Sequence, residues 1–128
     1  MADICKQIHV TVPNAVGKLA EVTGKFKDAG VNILALCAWG EGDTGHMLAC
    51  TSDAEAACGA VGGEGESCSF QEAVCVKMPN TPGTLNAAAA KLADAGINVE
   101  CVFAAGCDAD EVCVVFITDD NAKAAEIL

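Results

Sequence analysis

The sequence predicts an α+β fold made of two tandem units, each with the element order β-α-β-β-α-β. The first reason is an internal repeat, because residues 13–19 recur as residues 79–85. The same shift of 66 positions, without a gap over about residues 10–62, places Asp53 on Asp119. The second reason is that each copy follows an alternating apolar run and opens a segment with helical apolar spacing. That succession indicates a strand, a turn and a helix start.

In the first unit, the strand predicted over residues 4–12 places Ile4, Ile8, Val10 and Val12 on its buried side. The elements predicted after it are a helix over residues 16–29, strands over 31–39 and 45–51, a helix from 54 to about 61, and a strand over 67–71. Gly30 is predicted to end the first helix, and Asp53 is predicted to cap the second.

The second unit is predicted to repeat this order and to stop early. Its elements are a strand over residues 73–78 that forms one extended segment with 67–71, a helix over 82–95 with Pro82 at the first helical position, strands over 97–104 and 111–117, and a helix after Asp119. The predicted domains are therefore residues 1–71 and 72–128, and the second lacks its final strand. Because an unpaired sheet edge favours aggregation, we expect the natural chain to continue past Leu128. The element order is that of ferredoxin-like folds.

Composition excludes two classes of partner. The net charge of −11 at pH 7 argues against nucleic acid and against an anionic membrane surface, and no apolar run is long enough to cross a membrane. All seven basic residues are lysines, so the chain lacks arginine, the usual bidentate partner of carboxylate and phosphate groups. An anionic ligand must therefore be held by backbone N–H groups, a helix N-terminus, an amide or a lysine.

Nine cysteines and two histidines are the candidates for chemistry. No two cysteines have the C-x-x-C spacing of zinc or redox sites. With no signal peptide in the sequence, we expect a reduced, cytoplasmic protein whose cysteines are small buried hydrophobes, Cys107 being the most exposed. A metal site at Cys107, Asp108 and Asp110 competes with a solvated acidic turn, and a Cys–His pair involving His9 or His46 competes with buried thiols. We favour the structural reading of both, which predicts no enzyme, no cofactor and no metal.

The middle strands of both units are apolar on both faces. In residues 33–39 and 112–117, apolar side chains occupy both alternating sets of positions. Helices cover only one face of the antiparallel sheet in a two-layer unit of this kind. The other face must pack against the sister unit or a second chain, so we expect a homo-oligomer, in the simplest case a dimer.

The turn pattern N-x-x-G-x-L, followed at the helix end by D-A-G-(V/I)-N-(I/V), resembles the ACT domain, a small regulatory module that binds amino acids. Two copies at constant spacing cover nearly the whole chain. The resemblance implies that each turn contacts the amino and carboxylate groups of a free amino acid, and that the asparagine after the helix touches it too. The ligand-binding residues implied in this way are Asn14, Val16, Gly17, Leu19 and Asn32 in the first unit and Asn80, Pro82, Gly83, Leu85 and Asn98 in the second.

The chain departs from the family pattern in two places. Val16 stands where the second copy has Pro82, so the second turn is the one that keeps the pattern. Serine-binding members carry a histidine two residues before the turn asparagine, where Val12 and Met78 stand here, which favours a more apolar pocket. The resemblance implies a stand-alone allosteric sensor that binds an amino acid and biases association with a partner protein. The alternative is an interaction or regulatory subunit of a metabolic enzyme that has no ligand of its own.

Overall fold

The structure, a computed structural model, describes residues 2–106 and 109–128, and these contain six strands and four helices. In chain order they are β1 (Ala2–Pro13), α1 (Lys18–Asp28), β2 (Ile33–Glu41), β3 (Thr44–Thr51), α2 (Ala54–Ala60), β4 (Ser67–Pro79), α3 (Thr84–Asp94), β5 (Val99–Ala105), β6 (Glu111–Thr118) and α4 (Asn121–Ile127). Every predicted element is present, with its ends within about two residues of the predicted ones. Among the described residues, no helix combines the length and apolar character needed to cross a bilayer.

The chain divides into two compact units. The first unit comprises residues 6–71, and the second unit comprises residues 72–128 together with residues 2–5. The strand order is β4-β1-β3-β2 in the first unit and β1-β4-β6-β5 in the second. β3 pairs antiparallel with β1 and β2, and β6 pairs antiparallel with β4 and β5. Each unit is thus α+β and ferredoxin-like, which confirms the predicted fold class.

The core of the first unit lies between one face of its sheet and helices α1 and α2. Ile8 and Val10 of β1 are fully buried and pack with Val22 and Phe26 of α1, because the two-residue period of the strand meets the helical period of the apolar face. The prediction that Ile4 shares this buried side is wrong, since its side chain is 45% exposed. The alternation that serves the first unit does not extend to residues 2–5, which belong to the second.

Residues 2–5 are the part of the chain that sequence analysis placed in a different unit. The described part of residues 72–128 contains three strands and no fourth, as predicted. Residues 2–5, which the predicted range 1–71 assigned to the first repeat, group with this segment instead, and Cys5 of β1 is bonded to Cys75 of β4. Residues 2–5 are therefore part of the sheet of the second unit, at the edge formed by β4.

The two units differ by one residue in the turn between their second and third strands. Asp53 caps α2, as predicted, by accepting a hydrogen bond from the N–H of Ala56 (3.0 Å). The residue that does the same for α4 is Asp120, which accepts from the N–H of Lys123 (3.0 Å). The predicted equivalence of Asp53 with Asp119 is therefore wrong. Equivalent positions of the two units are 66 residues apart before the β2–β3 turn and 67 apart after it, because the β5–β6 turn holds one more residue.

Among the described residues, four cysteines form two disulfides, Cys5–Cys75 in the second unit and Cys58–Cys68 in the first. The expectation that the cysteines are reduced, buried hydrophobes is wrong for these four. Their pairing arises from neighbouring strands and from a helix packed beside a strand, which spacing along the chain does not reveal. Cys113 is an exposed free thiol. Cys107 and Asp108, with the metal site weighed there, lie outside the described residues.

Candidate ligand-binding site

The two repeated turns are built alike around an asparagine. Asn14 donates its backbone N–H to the carbonyl of Asp43 (2.9 Å) and its side-chain amide to the carbonyl of Gly42 (3.0 Å). Asn80 makes the equivalent pair of hydrogen bonds with the β5–β6 turn, at 2.8 and 3.0 Å. Each asparagine thus ties the turn that precedes the first helix of its unit to the hairpin between the next two strands.

A glycine of the hairpin lies beside each asparagine amide. A Cβ added to Gly40 would lie 2.7 Å from Asn14 Nδ2, which is closer than side-chain atoms can approach. A Cβ added to Gly106 would lie 3.4 Å from Asn80 Nδ2. Gly40 therefore makes room for the amide of Asn14, whereas a Cβ at Gly106 would first meet Val112, whose Cγ2 lies 3.2 Å away.

A second glycine starts each helix because the backbone there is left-handed. The φ angle is 89° at Gly17 and 91° at Gly83, and both residues are the N-caps of their helices. A residue with a side chain is strained in this conformation, yet a Cβ at either position would meet nothing within 4 Å. Backbone conformation rather than close packing therefore requires glycine, and the space in front of each helix start is open.

The proline of the second turn lies outside the helix. The prediction that Pro82 occupies the first helical position is wrong, because the left-handed Gly83 is the N-cap and α3 begins at Thr84. Pro82 is exposed in the turn. Its counterpart Val16 is also exposed, at 105% of the reference area for its residue type.

The helices that follow these turns lack side-chain caps. Within the described residues, the N-caps of α1 and α3 are glycines and make no side-chain cap hydrogen bond, whereas Asp53 and Asp120 cap α2 and α4. The first N–H of α1 and of α3 donates to a turn carbonyl at 3.4 and 3.3 Å. Unpaired N–H groups and the positive end of the helix dipole attract anions. The starts of α1 and α3 can therefore receive the carboxylate of a ligand, while those of α2 and α4 are occupied by their own aspartates.

A pocket of about 220 Å³ opens at the first turn. Asn14 lines it together with Lys18 and Leu19 of α1, and Trp39 of β2 and His46 of β3 line it as well. Asn14 and Leu19 belong to the set of ligand contacts predicted from the sequence, and the pocket brings them together. Lys18, Trp39 and His46 are wall residues that the predicted set did not contain.

The asparagines after the helices lie away from the turns of their own units. Asn32 follows the far end of α1, whose 11 residues span about 16 Å, and Asn98 stands in the same relation to α3. Their backbone N–H groups donate to Ser52 Oγ (2.9 Å) and Asp119 Oδ1 (3.0 Å). Neither unit by itself brings its asparagine to its turn, and their contact with a ligand stays a prediction.

Three rings from neighbouring strands, here called the ring stack, lie together beside this pocket, and two of them, Trp39 and His46, line it. The ring centroids of Trp39 and His46 are 5.0 Å apart with an interplanar angle of 13°. The ring of His9 in β1 is tilted by 30° from that of His46, with 5.3 Å between centroids, and lies 6.4 Å from that of Trp39. His9 Nε2 is 3.0 Å from His46 Nδ1, so one ring nitrogen donates to the other. Burial, and to a lesser degree the neighbouring His46, lowers the pKa of His9. Glu41 Oε2 lies 3.9 Å from the other ring nitrogen of His46.

Sequence reasoning missed this ring stack, although it placed all three residues in strands. Register brings the rings together, since His46 lies directly opposite Trp39 on one side and Thr11 on the other. His9 and Thr11 are alternate residues of β1 and share the face that points away from the core. Alternation thus places the rings on one face, and only the strand pairing makes them neighbours.

The loop before β4 supports the first turn. Glu66, whose side chain is 1% exposed, accepts hydrogen bonds from the Lys25 ammonium (2.7 Å) and from the N–H of Gly63 (3.3 Å). The hydrogen bond with Lys25 is the main cause that lowers the pKa of Glu66 and raises that of Lys25. A Cβ added to Gly65 would lie 3.3 Å from Pro13 Cγ. The loop therefore packs against the residue at which the first turn begins.

The second turn has the same backbone and different surroundings. Ala105 stands where the first unit has Trp39, and Cys113, its partner across the β5–β6 register, stands where the first unit has His46. Thr84 replaces Lys18 and bonds back to the turn through Thr81 (2.9 Å between hydroxyl oxygens). Leu85 is 46% exposed, much like its counterpart in the first unit. The second turn thus keeps the predicted residues but has neither the rings nor the lysine.

Comparison with known proteins confirms the resemblance that the turn motifs predicted. Residues 3–128 match the family described as an ACT domain pair. Protein BT0572 from Bacteroides thetaiotaomicron has a crystal structure that superimposes with a TM-score of 0.90 at 26% identity, covering 99% of this chain and 88% of that chain. The regulatory subunits of aspartate kinase from Thermus thermophilus (ligand-free form) and Thermus flavus give TM-scores of 0.70 and 0.68 at 14% and 16% identity. They cover 98% of this chain and 94% and 90% of their own. At that identity the likeness is one of fold. A comparison with curated proteins gives no match.

Proposed function

Because this chain belongs to the ACT domain pair family, whose domains are regulatory rather than catalytic, we propose that it binds a free amino acid and acts as a stand-alone allosteric sensor rather than an enzyme. The observation that carries the proposal is the pocket at the start of α1, where an uncapped helix N-terminus meets open space. We place the ligand at the first turn, with Asn14, Val16, Gly17 and Leu19 around it.

The carboxylate of an amino acid suits the helix start. The chain has no arginine, so the N–H groups of the first turn of α1 supply the hydrogen bonds that a guanidinium would otherwise provide. Lys18 adds one positive charge to the pocket wall, and part of that charge is balanced by Glu21, whose carboxylate accepts from its ammonium (3.1 Å). An amino acid carries one such carboxylate, in contrast to a phosphate-rich ligand that needs several cations.

The ammonium of the ligand needs oxygen acceptors. Asn14 turns Nδ2 towards the hairpin carbonyl of Gly42, which directs the acceptor oxygen of the same amide to the other side of the group. Carbonyl oxygens of the turn lie within the same few residues. The side chain of the ligand then faces the wall formed by Leu19, Trp39 and His46.

The first turn is our choice although the second retains the proline of the family pattern. Asn80, Pro82, Gly83 and Leu85 have the backbone geometry for the same contacts. They lack the flanking lysine and rings, so we expect the second turn to bind the ligand more weakly. Contact of Asn32 and Asn98 with a ligand remains part of the prediction from the family.

We further propose that the protein acts in the cytoplasm, as a homo-oligomer, on a metabolic enzyme in trans. The regulatory subunits of aspartate kinase that share its fold support the part of this proposal that concerns an enzyme in trans. Leu34 of β2, 65% exposed, and Val102 of β5, 43% exposed, are large apolar side chains on the edge strands of the two units. The same exposure favours the second candidate function, an interaction subunit that assembles through its sheets and binds no ligand.

A thermal-shift screen of the full chain against the twenty amino acids separates the two functions. A ligand that binds only the folded state adds about 2.7 kcal/mol at one hundred times its Kd, so one chemical class of amino acid should raise the melting temperature. No shift with any of the twenty would remove the sensor function and favour the interaction subunit. Gly17→Val should abolish the shift and leave the far-UV spectrum intact.

A further inference from the structure

We propose that the ring stack of Trp39, His46 and His9 makes the pocket of the first unit selective for an amino acid with an aromatic side chain. This inference rests on the proposed amino-acid binding and specifies the ligand. Trp39 and His46 line the pocket. Because Trp39 is still 41% exposed, it has surface left for a ligand ring.

The stack is held in place before any ligand arrives. His46 is fixed by its contact with His9, at 3.0 Å between ring nitrogens, and Trp39 lies nearly parallel to His46 at 5.0 Å between centroids. The three rings stand on three paired strands, so their spacing is set by the sheet. A ligand ring that extends this stack would therefore cost the protein little conformational entropy on binding.

The charges near the pocket disfavour the other classes of side chain. A cationic side chain would approach the Lys18 ammonium and the positive end of α1, which are better used by the carboxylate. An acidic side chain would come near the Glu41 carboxylate, which is outside the pocket lining and 3.9 Å from His46. Aliphatic side chains bury area against Leu19, but they gain nothing from the rings. Aromatic pairs are more favourable than area alone predicts, by a factor of about two to ten in affinity.

The second unit offers an internal contrast. Its residues at the positions of Trp39, His46 and His9 are Ala105, Cys113 and Cys75, and the last of these is in a disulfide. The two units have the same turn and the same helix start and differ in the rings, so we expect the aromatic preference in the first unit alone. A ligand that recognised only the turn would bind both units and show no preference for a ring.

The test uses three amino acids that share a backbone and differ in the side chain: phenylalanine, cyclohexylalanine and leucine. Trp39 is the only tryptophan of the chain, so its fluorescence reports binding at the stack, and calorimetry covers variants without it. We expect phenylalanine to change the Trp39 emission and to bind about two- to tenfold more tightly than cyclohexylalanine, which has similar bulk without aromaticity.

Two variants and one control assign the preference to the stack. Trp39→Leu should reduce the ratio between phenylalanine and cyclohexylalanine to about one, and His46→Gln, which retains the indole, should lower it. Phe70→Leu is the matched control, because Phe70 is an exposed aromatic residue of the same unit (49%) that does not line the pocket. It should leave the ratio unchanged.

The outcomes separate this inference from the proposed function. If the three ligands bind equally well, or if Trp39→Leu keeps the preference for phenylalanine, the aromatic selectivity is overturned and amino-acid binding stands. If none of the twenty amino acids binds the full chain, the proposed function fails and the inference fails with it.

Discussion

The first and second turns share a backbone and differ in what surrounds it. In both, an asparagine bonds to the following hairpin at 3.0 Å and a left-handed glycine starts an uncapped helix. Around the first turn stand Lys18, Trp39 and His46, while the second has a threonine, an alanine and a cysteine. The comparison separates the features that build the turn from those that define its pocket.

The shared features are those that the backbone requires. Left-handed φ angles at Gly17 and Gly83 are costly for other residues, and the asparagine amides satisfy hairpin carbonyls that would otherwise need another donor. The features that differ are side chains on the open faces, which the fold tolerates in many forms. A ligand preference can therefore arise in one unit while its twin keeps only the scaffold.

Substitution of the turn glycines should have the largest effect and should distinguish the first turn from the second. Gly17→Val and Gly83→Val each force a β-branched residue into a left-handed backbone, at a cost of about 1–3 kcal/mol in unfolding free energy. Only Gly17→Val should also abolish the ligand-induced thermal shift. Urea denaturation measures the first effect and the thermal-shift assay the second. Loss of the shift in Gly83→Val alone would move the site to the second turn.

Substitution of the turn asparagines should show whether the two turns contribute equally to the unfolding free energy. Asn14→Ala and Asn80→Ala each remove one amide-to-carbonyl hydrogen bond, so each should lower the unfolding free energy by about 1 kcal/mol. Urea denaturation of the two variants measures this cost, with Lys27→Ala as the control at an exposed position of α1. Asn14→Ala should in addition weaken amino-acid binding. A large cost in one variant and none in the other would contradict the structural equivalence of the turns.

A change of pH should have the smallest effect on stability. This effect should be confined to the first unit, which contains both histidines. Burial lowers the pKa of His9 in the folded state, so the unfolded state binds more protons just below the ordinary pKa of about 6.5. Stability should therefore fall as pH drops from about 6.5 towards 5, and His9→Gln should flatten this fall. The titratable groups near His9 are His46, whose ring bonds to it, and Glu41, whose carboxylate lies 3.9 Å from His46.

Hydrogen exchange locates this effect. Amide exchange at pH 5 relative to pH 7 should accelerate in residues 6–71 more than in residues 72–128. Glu66, whose pKa is lowered mainly by its hydrogen bond with Lys25, loses its contribution only below its unfolded pKa of about 4.3. Measurements above pH 5 therefore isolate the histidine contribution. Equal acceleration in both units would contradict the assignment to His9.

Local patterns were sufficient for the fold and for the turns. The two-residue period of β1, the helical period that buries Val22 and Phe26, and the repeated asparagine and glycine all act over a few residues. Their physical causes are side-chain direction along a strand or helix and backbone strain at positive φ. For that reason the order of the elements and the asparagine and glycine of each turn could be predicted from the sequence, whereas the exact helix start at Thr84 and the unit of residues 2–5 could not.

Tertiary structure decided everything that depends on strand pairing. The stack of His9, Trp39 and His46, the disulfide between Cys5 and Cys75, and the place of residues 2–5 in the second unit all join positions far apart in the chain. Register selects such neighbours, and no local pattern encodes the register of one strand against another. The amino-acid sequence by itself thus determined the repeated turn, and the sheet determined which side chains surround it.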